Sequence, residues 1–175
     1  MIHLVTGGAR SGKSRYAEDQ VRELLRREPE RTVCYIATAT AGDEEMKERI
    51  DHHRSTRPKD WVTLEEPLYL SRLAEVRKSG ILLVDCMTLW LSNWLCDHGA
   101  EAWQDEKKRF LTLLQSDSRE WVIVTNEVGS GIVPLGALNR QFADEAGWLN
   151  QSLAALADRV TLVVSGCPLS LKPRA

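Results

Sequence analysis

The chain has 175 residues, 27% of them charged, and a formal net charge of −2. A polypeptide of this length can bury roughly 70% of the surface its unfolded form exposes. Its charge balance excludes the broad basic field that DNA or RNA binding requires, so any phosphate recognition must be local.

Short β-branched runs alternate along the chain with longer helical patterns. IHLVT (2–6) reads as a strand, followed by a Gly-rich turn and a helix from Lys13 to Arg27. TVCYIA (32–37) is a second strand, 43–54 has helical spacing, WVTLE (61–65) is a short strand, and 67–78 again reads as helix. ILLVD (81–85) is a continuous apolar run of the kind buried on both faces of a sheet. Helices are expected over 88–97 and 102–116, a strand over 121–127, a helix near 136–157 and a strand over 160–165. This alternation predicts an α/β fold with a mostly parallel central sheet and helices on both faces. One domain spanning residues 1–175 is expected, and the final CPLSLKPRA carries no readable motif.

The N-terminus MIHLVTGG lacks the basic and apolar regions of a signal peptide. The most apolar stretch, ILLVDCMTLWLSNWL, is interrupted by Asp85, Thr88, Ser92 and Asn93 and is too short to span a bilayer. The four cysteines (Cys34, Cys86, Cys96 and Cys167) form no CxxC and have no His at zinc-finger spacing. Reduced thiols and a cytoplasmic location are the expectation.

GGARSGKS, Gly7 to Ser14, fits G-x-x-x-x-G-K-[ST] between a strand and a helix, the setting that a phosphate-binding loop demands. The P-loop residues are Gly7, Gly8, Ala9, Arg10, Ser11, Gly12, Lys13 and Ser14. Their backbone N–H groups and the following helix N-terminus suit a phosphate chain. Lys13 reaches the outer phosphates, and the Ser14 hydroxyl is a ligand for Mg²⁺. Asp85, at the carboxyl end of ILLVD, is placed either to complete that metal site or to cap the next helix. Thr125, Asn126 and Glu127 end another strand and precede a loop holding Gly129, Gly131 and Pro134. They read as residues that contact substrate or position a nucleophile, or as a plain turn.

RIDHHRSTRP (49–58) holds two of the four histidines among three arginines. At 100° per residue, Met46, Ile50 and His53 share one stripe and His52 points away beside Glu45, Glu48 and Arg49. An exposed imidazole near neutral pH is a competent nucleophile toward phosphorus, and the arginines suit phosphate oxygens. A solvated helix end accounts for the same spacing. The six tryptophans include Trp90 and Trp94, four apart on one helix face. Core packing is their expected role, ahead of a ligand contact or a subunit interface.

LVTGGARSGKSRYAE, YIATA (35–39), RIDHHRSTRP, VTNEVGSGIVP (124–134), RQFADEAGWLNQ and VTLVVSG, in that order, span the chain. In this combination the sequence resembles the bifunctional adenosylcobinamide kinase / adenosylcobinamide-phosphate guanylyltransferase family of cobalamin biosynthesis. The resemblance implies a P-loop NTPase of RecA-like fold that assembles as a homotrimer. It also implies phosphorylation of the aminopropanol hydroxyl of adenosylcobinamide by ATP or GTP, followed by GMP transfer from GTP. The products are adenosylcobinamide-GDP and pyrophosphate. The family's guanylyl-histidine matches His52. By the same residue-by-residue match Ala37, Thr38, Ala39, His53, Arg54, Ser55, Thr56 and Glu65 line the guanine nucleotide site. The competing readings are a P-loop small-molecule kinase without guanylyl transfer, and a nucleotide-binding switch or motor subunit.

Overall fold

The structure is a computed structural model that describes residues 1–40, 44, 58, 60–76 and 80–173. Seven strands form one sheet in the order β3-β2-β4-β5-β1-β6-β7. They are β1 (Ile2–Thr6), β2 (Val33–Ala37), β3 (Val62–Glu65), β4 (Ile81–Asp85), β5 (Glu120–Val124), β6 (Arg159–Val164) and β7 (Cys167–Lys172). All neighbours pair in parallel except β7, which runs antiparallel to β6. The α-helices described over their full length are α1 (Lys13–Arg27), α2 (Met87–Asp97), α3 (Gly99–Ser116) and α4 (Ala137–Leu156).

Side chains of a strand alternate between faces, so the sheet has two separate cores. On one side Leu4, Ile36, Leu82, Val84, Trp121 and Ile123 pack with Trp90, Trp94, Trp103, Phe110 and Leu149 from α2, α3 and α4. On the other Val5, Val33, Tyr35, Leu83, Val122 and Val124 meet Ala17 and Val21 of α1. Trp90 and Trp94 are core residues, as their spacing suggests.

Three sequence expectations change. Residues 70–75 form a 3₁₀ helix rather than part of a longer α-helix. Side chains take the backbone groups that an α-helix would pair internally. The indoles of Trp90 and Trp94 both donate to the Leu68 carbonyl at 2.6 and 2.8 Å. Glu66 Oε1 accepts from the Leu68 and Tyr69 N–H groups, and Glu106 accepts from that of Ser71. Strand β5 ends at Val124, not at residue 127. Beyond it the chain still follows β1, the Thr125 N–H donating to the Val5 carbonyl and the Glu127 N–H to that of Gly7, both at 3.0 Å. The C-terminal segment supplies the seventh strand. The expected helix over 43–54 lies outside the described residues, Glu44 excepted.

Candidate active site at the carboxyl edge of the sheet

Strand register puts Glu65, Ala37, Asp85, Val124 and Val5 in one row across the sheet, at the carboxyl ends of β3, β2, β4 and β5 and beside the last residue of β1. The phosphate loop leaves β1 from this edge. In open parallel sheets, ligands bind at this edge because the loops and helix N-termini converge there.

The loop's shape depends on two glycines. A Cβ on Gly7 would sit 2.4 Å from the Val163 carbonyl oxygen, so only hydrogen fits. Gly12 has φ +93° and lies 3.3 Å, measured from its would-be Cβ, from the Gly166 Cα. Arg10 is also left-handed, with φ 54°. Alternation of this kind brings successive backbone N–H groups around an anion. The loop is held from two sides. Glu127 N–H binds the Gly7 carbonyl, and Gly166 N–H binds the Ser11 carbonyl at 2.8 Å. Gly166 and Ser165 form the two-residue turn joining β6 and β7, with φ of 80° and 52°.

Lys13 is 8% exposed, and its ammonium donates to the Gly8 carbonyl at 3.1 Å. Among the described residues no carboxylate pairs with it. A buried ammonium with a carbonyl partner fits an anionic ligand, since burial of an uncompensated charge is costly. Ser14, the second residue of α1, is half-buried. The Thr6 and Ser11 hydroxyls, at either end of the turn, are buried without a partner among the described residues.

Asp85 does not cap α2. Cys86 occupies that position, without a side-chain capping bond. Instead Asp85 Oδ2 accepts the Tyr35 hydroxyl at 2.7 Å, which orients the carboxylate at the strand end. Carboxylate and hydroxyl oxygens are the donors that Mg²⁺ prefers, usually as one or two protein ligands beside phosphate oxygens and water. Asp85 and Ser14 fit that requirement.

Buried polar bonds tie the strand ends together. Thr38, fully buried, donates from Oγ1 to the Cys86 carbonyl at 2.7 Å and accepts the Cys86 N–H at 2.8 Å. Its hydroxyl is thereby committed to joining the ends of β2 and β4. Asn93 on α2 donates to the carbonyls of Thr38 and Pro67. Asn126 donates from Nδ2 to Thr88 Oγ1 at 2.6 Å. Burial, followed by the neighbouring Asp85 charge, raises the Cys86 thiol pKa, so it stays protonated.

Ala37 ends β2 at this edge, Thr38 and Ala39 follow it, and Glu65 ends β3. His52, His53, Arg54, Ser55 and Thr56 lie outside the described residues. Sequence reasoning misses the Tyr35–Asp85 bond and the Gly166 prop. The dipeptide Ser165–Gly166 between two β-branched or apolar runs is the available hairpin signal.

Fold and site together define an α/β P-loop protein of the RecA-like class. A solved KaiC-like protein from Pyrococcus horikoshii shares this fold, with a TM-score of 0.50 and 12% identity over 92% of this chain and 69% of that one. Residues 3–171 match the cobinamide kinase / cobinamide phosphate guanyltransferase family. Similar proteins include the bifunctional adenosylcobalamin biosynthesis protein CobP of Pseudomonas aeruginosa, 47% identical over 174 residues and 98% of each chain. The bifunctional adenosylcobalamin biosynthesis protein CobU of Escherichia coli is 41% identical, covering 98% of this chain and 100% of its own. CobU of Salmonella typhimurium is 42% identical with the same coverage. The chain belongs to the cobinamide kinase / cobinamide phosphate guanyltransferase family.

Proposed function

We propose that the chain catalyses two successive transfers onto adenosylcobinamide as one P-loop domain. The observation that carries this reading is the family match over residues 3–171, joined to a formed phosphate loop beside an oriented carboxylate. In the first transfer the aminopropanol hydroxyl oxygen attacks the γ-phosphorus of ATP or GTP. The new O–P bond forms as the bond to the β-bridging oxygen breaks, a nucleoside diphosphate leaves, and the hydroxyl proton is released to solvent. Lys13 and the N-terminus of α1 hold the outer phosphates in line and offset their charge, since this chemistry depends chiefly on positioning and electrostatics. Mg²⁺, held by the Ser14 hydroxyl and the Asp85 carboxylate, would neutralise charge on the phosphate oxygens. The rest of the loop, Gly7, Gly8, Ala9, Arg10, Ser11 and Gly12, contacts the phosphates through its backbone.

In the second transfer an imidazole nitrogen of His52 attacks the α-phosphorus of GTP and expels pyrophosphate. The corrinoid phosphate then takes GMP from the histidine, giving adenosylcobinamide-GDP and restoring a free imidazole. A phosphate loop grips a triphosphate but offers no covalent carrier for a nucleotide, so a separate nucleophile is required. Ala37, Thr38, Ala39, His53, Arg54, Ser55, Thr56 and Glu65 line the guanine nucleotide site in this reading.

We further place the protein in the cytoplasm as a homotrimer. No helix among the described residues is long and apolar enough to cross a membrane. The exposed Ile132, Val133 and Leu135, after β5, offer apolar surface for a subunit contact or for the corrinoid. The test of the two-step reading is direct. Adenosylcobinamide is incubated with the protein and ATP, then GTP is added, and the corrinoid is followed by mass. Gain of one phosphoryl group and then one GMP is the expected sequence. A corrinoid left unmodified, or halted at the phosphate with GTP present, contradicts it.

A further inference from the structure

Asn150 lies on α4, next to the fully buried Leu149, and its carboxamide faces the end of β5. Its Nδ2 donates to the main-chain carbonyl of Asn126 at 3.1 Å, and its Oδ1 accepts the Thr125 hydroxyl at 2.7 Å. The Asn126 carbonyl can only accept, which fixes the amide's orientation and makes Thr125 the donor. One planar group thus supplies a donor and an acceptor to two consecutive residues. Aspartate lacks the donor and alanine lacks both.

The segment so held connects the two halves of the site. On one side Thr125 N–H binds the Val5 carbonyl and Glu127 N–H binds that of Gly7, where the phosphate loop begins. On the other, the Asn126 side chain reaches Thr88 Oγ1 and, at 3.6 Å, Cys86 Sγ, immediately after Asp85. Beyond Glu127 comes a mostly exposed stretch without regular structure up to α4. The base of that stretch is therefore fixed from α4 by Asn150.

We propose that Asn150 is a positioning residue for phosphoryl transfer. It sets the main chain of Asn126, and through it the spacing between the phosphate loop and the Asp85 strand end. The inference rests on the kinase reading above. Displacement of a catalytic geometry by about 1 Å costs on the order of a hundredfold in rate even when binding survives.

The test compares the wild-type protein with Asn150→Asp, Asn150→Ala, Thr125→Val and Thr125→Ser. Kinase kcat, nucleotide Kd from a fluorescent GTP analogue, and hydrogen exchange of the peptide bearing Glu127 are measured. Asn150→Ala and Asn150→Asp are expected to lower kcat by about tenfold to a hundredfold. Kd should stay within about threefold, and exchange at the Glu127 amide should quicken. Thr125→Val should lower kcat less, and Thr125→Ser should restore it. In Asn150→Asp, kcat relative to wild type should rise as pH falls, because the introduced carboxyl regains a donor when protonated. A lowered Tm with unchanged kcat in the folded fraction overturns the proposal, as does a pH profile parallel to wild type. Should Asn150→Ala fail to fold, the Thr125 pair decides the matter alone, by whether kcat falls with valine and returns with serine. Wild type that leaves the corrinoid unphosphorylated, with exchange still quickened in the variants, defeats the kinase reading and not the brace. Active wild type matched by every variant defeats the brace alone.

Discussion

The two faces of the sheet are built from different material. On the α2–α3–α4 face a run of edge-to-face aromatic contacts links Trp103, Trp90, Phe110 and Trp121, with ring centroids 4.7, 5.2 and 5.9 Å apart. Large rings bury much apolar area and lock in geometry. On the α1 face the helix contributes Ala17 and Val21. Small side chains let α1 approach the sheet, and its N-terminus carries the phosphate loop. That face also contains buried polar groups, among them His3, bonded through Nε2 to Thr161 Oγ1 at 2.9 Å and edge-on to Tyr16. The large aromatic packing thus lies on one face, and the helix that follows the phosphate loop on the other.

The contrast is tested first by Lys13→Ala. Kinase turnover should drop by about a hundredfold to a thousandfold, as for loss of one group that stabilises transition-state charge, with Tm nearly unchanged. A parallel collapse of Tm would show that the loop also carries the fold. Phe110→Ala is the mirror experiment, expected to cost about 3–5 kcal/mol of stability in denaturant titrations. The molecules that stay folded should retain normal kcat.

His3 sharpens the comparison through pH. Burial, then the nearby Arg159 charge, lowers its pKa from 6.5 to about 4. Above pH 6.5 the ring is neutral in both folded and unfolded states. Between 6.5 and about 4 the unfolded chain takes up the proton first, so stability falls as pH falls. The loss is on the order of 3 kcal/mol by pH 4. His3→Gln should flatten that part of the urea-stability profile, whereas Phe110→Ala should shift it without changing its slope. The smallest effect is expected of Gly166→Ala, about 1 kcal/mol for a side chain in the left-handed region. Nucleotide Kd should rise with it, because the Gly166 N–H holds the Ser11 carbonyl.

Legibility in the sequence follows locality. The phosphate loop is eight consecutive residues whose conformation is written in Gly7 and Gly12, and both α1 boundaries can be read directly. Continuous apolar runs identify β1 and β4 because buried parallel strands need no polar alternation. Segment 67–78, which reads as α-helix, depends on partners distant in sequence. Indoles from α2 and the carboxylate of Glu106 on α3 satisfy its backbone, and no local pattern encodes them. Strand β7 escapes because its residues are exposed and include Pro168. The Asn150 contacts with the end of β5 join residues 24 and 25 positions apart and are invisible for the same reason. Asp85 is identified by its place at a strand end, but Tyr35, which orients it, is 50 positions away.

Whether one chain pairs a phosphate loop with a covalent nucleotide carrier is read out by labelling. The protein is incubated with GTP labelled at the α-phosphate, and the denatured chain is assayed for acid-labile, base-stable label. Wild type should become labelled and His52→Ala should not. An unlabelled wild type, or a His52→Ala variant that labels fully, would rule out His52 as the carrier of GMP.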